Sequence, residues 1–292
     1  MVVEPIDLLH QATERVVGVY VLDTDDGPAL FDCGPTTCIP ALKVGLAARG
    51  LGLTDVRHLL LSHIHLDHAG AAGTLVREHP GLQVHVSSIG APHVVDPSRL
   101  DRSARRLYGD AFDTLWGELA PVPEANVHVV GDDVVGLECF PTPGHASHHV
   151  SYLARDGTLY AGDAAGVRIV PARHVLPVSP PPDFDPEAWE RTLDEIERRR
   201  PEQLALVHFG VVDDVADHLA LMREMLRAWT ERVRLGATQD EFVRAGVDEL
   251  RERVGESGDL WQRAAPLWQS YLGLERYWAK KREAEATPPL QD

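Results

Sequence analysis

Apolar and polar positions divide the chain into a strand-rich stretch and a helical one. Val16 to Leu22 reads as a strand, Asp23-Thr24-Asp25-Asp26-Gly27 as a turn, and Pro28 to Phe31 as the strand that pairs back. Residues 38–49 have helical spacing and stop at Gly50. The apolar run His58 to Leu61 predicts a buried strand. A helix is expected from about Ala69 to His79, ended by Pro80, and a further strand over Gln83 to Val86. Residues 88–118 are mixed and mainly helical. From Val127 short strands resume, with turns at Gly131-Asp132-Asp133 and Gly136. His149 to Leu153 and Thr158 to Tyr160 predict a hairpin about Asp156-Gly157. Residues 166–183 hold five prolines and no sustained period, and read as a loop. A helix over Asp185 to Arg200 and a strand over Leu204 to Val207 complete this part.

Near residue 213 the strand pattern stops. Val215, Leu219, Met222, Leu226, Trp229 and Val233 form a helical stripe. Two helical stretches follow, about Gln239 to Val254 and Leu260 to Lys281, with Pro266 starting a new first turn in the second. Trp261, Trp268, Tyr271 and Trp278 recur near helical spacing. They are expected to pack the last helix on the core or on a second subunit rather than to wall a substrate. Thr287 to Asp292 are expected to fray.

Composition narrows the functions. Apolar residues make up 44% of 292, enough for a sizeable core. Lys plus Arg number 28 and Asp plus Glu 45, a net charge of −17 that repels phosphate backbones and anionic lipid. Nucleic-acid and membrane partners are therefore not expected. No apolar run approaches the ~20 residues of a membrane helix, and Met1-Val2-Val3-Glu4-Pro5 lacks the basic start of a signal peptide. Cys33, Cys38 and Cys139 are odd in number and show no CxxC spacing. Free thiols in a reducing compartment fit, so a cytoplasmic location is expected.

The candidate chemistry clusters where apolar runs end. His63-Ile64-His65-Leu66-Asp67-His68 directly follows the strand ending at Leu61. With one residue between them, His63 and His65 can aim both imidazoles the same way from an extended loop. Asp67 and His68, at the turn into a helix, can face a second point nearby. His145 stands in the turn Pro141-Thr142-Pro143-Gly144, Asp163 follows Gly162 at a strand end, and His208 ends the strand before it. Imidazole and carboxylate suit zinc, iron and manganese. Asp32 ends its own strand and can orient a ligating histidine. His149 is expected to be a core or supporting histidine. His93 and His174 are candidates for substrate contact, while His58, His79, His85, His128 and His218 read as structural or solvated. Arg99, Arg102, Arg105 and Arg106, with Tyr108, Phe112 and Trp116 beyond, read as a solvated face over a packed aromatic edge, with a lid over the site as the alternative.

The His63-x-His65-x-Asp67-His68 motif resembles the signature of the metallo-β-lactamase-fold hydrolases. With His145, Asp163 and His208 added, the chain is similar to their binuclear members over about residues 6–212. The resemblance implies an α/β fold, an αββα sandwich of two sheets with helices outside. It implies that His63, His65 and His145 bind one metal, that Asp67, His68 and His208 bind a second, and that Asp163 bridges them. Asp67 would also be catalytic, orienting a hydroxide held between the ions. The expected organisation is a catalytic domain over 1–212 and a C-terminal helical extension over 213–292. The expected cofactors are two divalent ions, zinc first, with iron or manganese as alternatives. The expected activity is hydrolysis of an ester, thioester or lactone in a small molecule. A mononuclear iron persulfide dioxygenase and a metal-bearing sensor without turnover are the alternatives. The helical tail resembles that of glyoxalase II, but His208 is followed by Phe209-Gly210-Val211 where that family has an acidic residue and threonine, and its cationic glutathione contacts have no match. Lactonases share the ligands and lack so long a tail. A homo-oligomer through the C-terminal helices is a further expectation.

Overall fold

The computed structural model describes residues 3–286, so the expected fraying of Thr287 to Asp292 lies outside the described residues. One six-stranded sheet holds β1 (Ile6–Asp7), β2 (Gly18–Thr24), β3 (Gly27–Phe31), β4 (His58–Leu60), β5 (Gln83–Val86) and β6 (Val127–Val129), in that spatial order. The second holds β7 (Asp133–Val134), β8 (Leu137–Pro141), β9 (Val150–Leu153), β10 (Thr158–Tyr160), β11 (Gln203–Leu206) and β12 (Gly210–Val212), also in sequence order. The helices between strands are α1 (Ile39–Ala47), α2 (Leu66–Ala69), α3 (Ala72–Glu78), α4 (Ala91–Val95), α5 (Ser98–Tyr108), α6 (Phe112–Leu115) and α7 (Pro186–Arg199). Then come α8 (Val215–Arg234), α9 (Gln239–Val254), α10 (Gly258–Ala264) and α11 (Leu267–Ala286). Both sheets are mixed, and the architecture is the expected sandwich with C-terminal helices.

The sheets meet through aromatic side chains. Phe31 of the first lies edge-on to Tyr152 of the second, with centroids 5.9 Å apart, and Tyr20 lies edge-on to Tyr160 at 5.7 Å. The Tyr20 hydroxyl donates across the interface to the Leu206 carbonyl at 2.8 Å, so its polar end is satisfied where its ring is buried. β3, β4 and β5 are parallel; β4 and the end of β3 are buried throughout, while β5 alternates, burying Val84 and Val86.

Register brings the strand ends to one edge. Phe31 pairs with Leu60, so Asp32 emerges beside Leu61 and its carboxylate reaches Ser62 N at 2.8 Å. Tyr160 pairs with Ala205 in parallel, so Asp163 and His208 leave their strands at equal distances beyond that pair. β8 and β9 are antiparallel, with Pro141 opposite Val150, and their connecting turn carries His145 to the same edge.

Two expected elements differ in detail, and one strand is unexpected. The helix over 69–79 is interrupted after Ala69, because Ala71 N–H bonds the Gly34 carbonyl at 2.8 Å and ties the chain to the turn after β3. The stretch 260–281 is two helices, broken before Pro266, which cannot donate to a continuing helix. Gly210–Val212 forms an edge strand antiparallel to β11 that the short polar-flanked sequence does not announce.

The C-terminal helices share one hydrophobic core with the sandwich. α8 buries Leu219, Met222, Leu226, Trp229 and Val233 of the expected stripe, with Val215 at its start half-buried. α11 lies against the loop after β10 so closely that a Cβ on Gly273 would stand 1.8 Å from the Ser179 carbonyl oxygen. Asp185 caps α7 through the Ala188 amide, and Thr238 with Glu241 forms a capping box on α9. Among the described residues no helix is long and apolar enough to cross a membrane.

Candidate metal centre

At the carboxyl end of β4 the chain runs through a short loop from Leu61 to His65, and the single turn of α2 then presents Asp67 and His68. His63 Nε2 and His145 Nε2 each lie 2.8 Å from His65 Nδ1. Beside them His68 Nε2 lies 3.3 Å from Asp163 Oδ1, and His145 Nε2 lies 3.3 Å from Asp163 Oδ2. His208 Nε2 is 3.4 Å from Asp67 Oδ2 and 3.7 Å from Asp163 Oδ1. The structure thus gathers His63, His65 and His145 into one group and Asp67, His68 and His208 into another, with Asp163 between them. All are buried except His65 and Asp67, which are half-buried.

Supporting bonds decide which nitrogen of each imidazole faces inward. His145 Nδ1 donates to the Val178 carbonyl at 2.7 Å and His208 Nδ1 to the Val16 carbonyl at 2.6 Å. His68 Nδ1 donates to Asp32 Oδ2 at 2.7 Å. Asp32, fully buried and at a φ of +58°, also accepts from Ser62 N at 2.8 Å and Ser62 Oγ at 2.7 Å. Ser62 Oγ in turn accepts from His63 Nδ1 at 2.9 Å. In these four the Nδ1 atom is held by its support and Nε2 faces into the cluster, whereas His65 turns Nδ1 inward. His149 accepts the Asp163 N–H at 3.1 Å and bonds Thr142 Oγ1 at 2.8 Å, which places the Asp163 backbone. Gly162 is needed before it: at a φ of +53° an added Cβ would stand 2.6 Å from Ser62 Cβ and 2.7 Å from His149 Nε2.

The charges follow the geometry. Burial, reinforced by neighbouring imidazoles, holds His63 and His65 well below the ordinary histidine range. Burial also lowers His145, against the pull of Asp163. For His68 and His208 burial is outweighed by the Asp163 and Asp67 carboxylates, which raise both. Asp67 and Asp163 lie below the usual carboxylate range despite their burial, because His68 and its neighbours face them.

These side chains fit metal ions. His68 Nε2 and Asp163 Oδ1 are buried and face each other without a hydrogen-bond partner. Leaving such groups unsatisfied costs about 1–3 kcal/mol each. The inward nitrogens of His63, His65 and His145 crowd together, with two of the separations at 2.8 Å. A cation relieves both conflicts, and the donor set is of the kind zinc, iron and manganese accept. The two adjacent His/Asp groups are consistent with a dinuclear site.

Above this cluster opens a cavity of about 700 Å³, to which His65, Asp67, His145, Asp163 and His208 contribute. His93 and His148 line it, whereas His174 does not and instead packs on Trp261 with centroids 5.5 Å apart. Arg99, Tyr108 and Trp116 also line it, so the segment 88–118 is in part a wall of the site; Arg105 instead pairs with Asp101 and Asp113, and Phe112 is buried. Trp268 lines the cavity too, a use the helical spacing of the tail did not favour, while Trp261 is buried as expected. His10 escaped the sequence reading. It is buried in the cavity wall, stacked on Trp116 at 5.3 Å and in contact with Cys38 Sγ at 3.6 Å. Its segment has no period; Leu9, Gln11, Ala12 and Arg15 all have positive φ, so no pattern marks it.

A family model described as the Metallo-beta-lactamase superfamily matches residues 12–211. A metallo-beta-lactamase fold-containing protein of Sulfurisphaera tokodaii is 24% identical over 256 residues, covering 83% of this chain and 92% of that protein. Its crystal structure aligns at a TM-score of 0.62 over 93% of this chain and 96% of that one. A metallo-beta-lactamase family protein of Thermus thermophilus aligns at a TM-score of 0.66 with 21% identity, covering 96% of this chain and 93% of that one. A hydroxyacylglutathione hydrolase of Xanthomonas campestris pv. campestris is 30% identical over 146 residues, covering 50% of this chain and 45% of that protein.

Proposed function

The chain belongs to the metallo-β-lactamase superfamily, and on that premise we propose that it is a dinuclear metal-dependent hydrolase acting on an ester, thioester or lactone of a small molecule. The observation that carries the reading is the pair of His/Asp groups flanking Asp163, with the imidazoles of His63, His68, His145 and His208 already oriented by a bond on Nδ1. His63, His65 and His145 would hold one ion and Asp67, His68 and His208 the other, with Asp163 bridging. When bound, such ions supply Lewis acidity and bring the pKa of water to about 7. Zinc is the first choice, with iron or manganese as alternatives. The similarity to a hydroxyacylglutathione hydrolase supports hydrolysis over the catalytic half of the chain.

The protein's own groups prepare the rest. Asp32 and the Val178 and Val16 carbonyls hold His68, His145 and His208 in the tautomer that presents Nε2. Both carboxylates border the cavity, but the Asp67 side chain is 26% exposed and that of Asp163 only 4%. Asp67 is therefore the carboxylate placed to accept the proton of incoming water and orient it toward a substrate carbonyl. The cavity wall limits bulk water around that carbonyl, which strengthens each polar contact inside.

The test is a panel of ester, thioester and lactone substrates assayed with metal-loaded protein and again after chelation. Turnover that chelation abolishes and zinc, iron or manganese restores is the expected result. Turnover unaffected by complete metal removal would overturn the reading.

A further inference from the structure

The walls of the cavity above the cluster are lined by Leu100, Leu107, Leu115 and Trp116 on one side and by Pro181 and Trp268 on the other. None of these is fully buried, and Leu107 is 37% exposed. Apolar surface left facing a water-filled space costs about 25 cal/mol per Å². A cavity wall of part-exposed Leu, Pro and Trp side chains is the mark of a site that takes apolar surface from a ligand. The wall is also held in place. Tyr108 at the end of α5 accepts from Gln269 Nε2 of α11 at 2.7 Å, a bond that joins the two helices beside the cavity. Gln269 is buried, and α11 is anchored by Ser270 Oγ, which accepts from Ser179 N at 3.3 Å. Trp268 and Gln269 lie beyond residue 211, where the family match ends, so the helical tail of this chain supplies part of the wall.

From this we infer that the substrate carries a hydrocarbon body beside the bond that is cut, and that Leu100, Leu107 and Trp268 select it. The inference rests on the hydrolase reading and deepens it. The carboxylate product of ester, thioester or lactone cleavage would sit at the His/Asp cluster with its chain along this wall.

The experiment measures binding of straight-chain alkyl carboxylates, from butanoate to decanoate, to the metal-loaded protein by calorimetry. It also measures hydrolysis of the p-nitrophenyl esters of the same acids. Affinity should rise by about fourfold per methylene until the chain fills the cavity, and KM should fall in step. Leu107→Gln should lower decanoate affinity at least about tenfold and leave butanoate nearly unchanged, with circular dichroism confirming the fold. Trp268→Ala should likewise flatten the dependence on chain length. Ester hydrolysis with KM indifferent to chain length would overturn the inference while leaving the hydrolase reading intact. Length-dependent binding with no ester cleaved would support the inference and count against the hydrolase reading. Binding of all the acids with equal affinity, in parent and both variants, would also overturn it.

Discussion

Asp32→Asn isolates what a carboxylate behind the cluster contributes. Asparagine has nearly the same size and tolerates the positive φ of this position, so the backbone need not move. What changes is one acceptor. The Asp32 carboxylate accepts from Ser62 N at 2.8 Å, Ser62 Oγ at 2.7 Å and His68 Nδ1 at 2.7 Å. An amide oxygen can keep the Ser62 N–H, but the amide nitrogen, itself a donor, cannot accept from Ser62 Oγ and His68 Nδ1. A lost hydrogen bond to a charged group is worth about 1.5–3 kcal/mol. His68 can escape by carrying its proton on Nε2 instead, which removes the lone pair aimed at Asp163. Loss of such a supporting bond typically weakens metal binding about 10- to 100-fold, or about 1.4–2.8 kcal/mol at 1.4 kcal/mol per tenfold, and the two figures agree. We expect a folded variant near the lower end of that range, with the ion held by Asp67, His68 and His208 affected more than the other. Chelator competition resolves the two ions, and kcat/KM and circular dichroism complete the assay. Unchanged affinity for both ions would refute the claim that Asp32 sets the His68 tautomer.

Asp163→Asn should lose most of the occupancy of at least one ion and at least about 100-fold in kcat/KM, measured by metal content and kinetics on folded protein; both ions retained at full activity would reduce Asp163 to an ordinary strand-end carboxylate. Trp229→Ala should cost about 3–5 kcal/mol, because Trp229 is fully buried in α8 and lies edge-on to Phe242 at 5.1 Å, and deletion of 213–292 should give insoluble protein. Denaturant titration checks the first and fractionation the second, and a soluble, active 1–212 fragment would count against both. Chiefly through burial, His85 and His218 have pKa values pushed down to about 4, below the ordinary 6.5, so the unfolded chain takes up their protons first. Their contribution to stability is therefore present above pH 6.5 and is lost as pH falls toward about 4; metal-free His218→Gln should show a flatter decline over that window than metal-free parent.

Legibility in the sequence followed locality. The residues of the two His/Asp groups stand just beyond apolar runs or in Gly/Pro turns, and strand ends in a sandwich share an edge, so pattern reaches both fold and candidate site. The supports of that site are less visible. The Val16 and Val178 carbonyls are backbone groups that no side-chain motif announces, although His208 and His145 depend on them. His10 reaches the wall through a segment whose positive φ values follow tertiary contacts. Trp268 was read as packing because helical spacing shows that a residue shares a face without showing what the face meets. Arg99 is exposed, as its spacing predicts, and it also borders the cavity, which spacing alone does not show. The break after Ala69 depends on the Ala71 amide reaching Gly34, a contact between segments far apart in the chain.

The central claim is that the two adjacent His/Asp groups hold two ions bridged by Asp163. Metal analysis of purified protein, as isolated and after loading with zinc, manganese and iron in turn, tests it most directly. The account predicts about two ions per chain. A stoichiometry that stays at one under every loading condition would contradict it and favour a mononuclear centre.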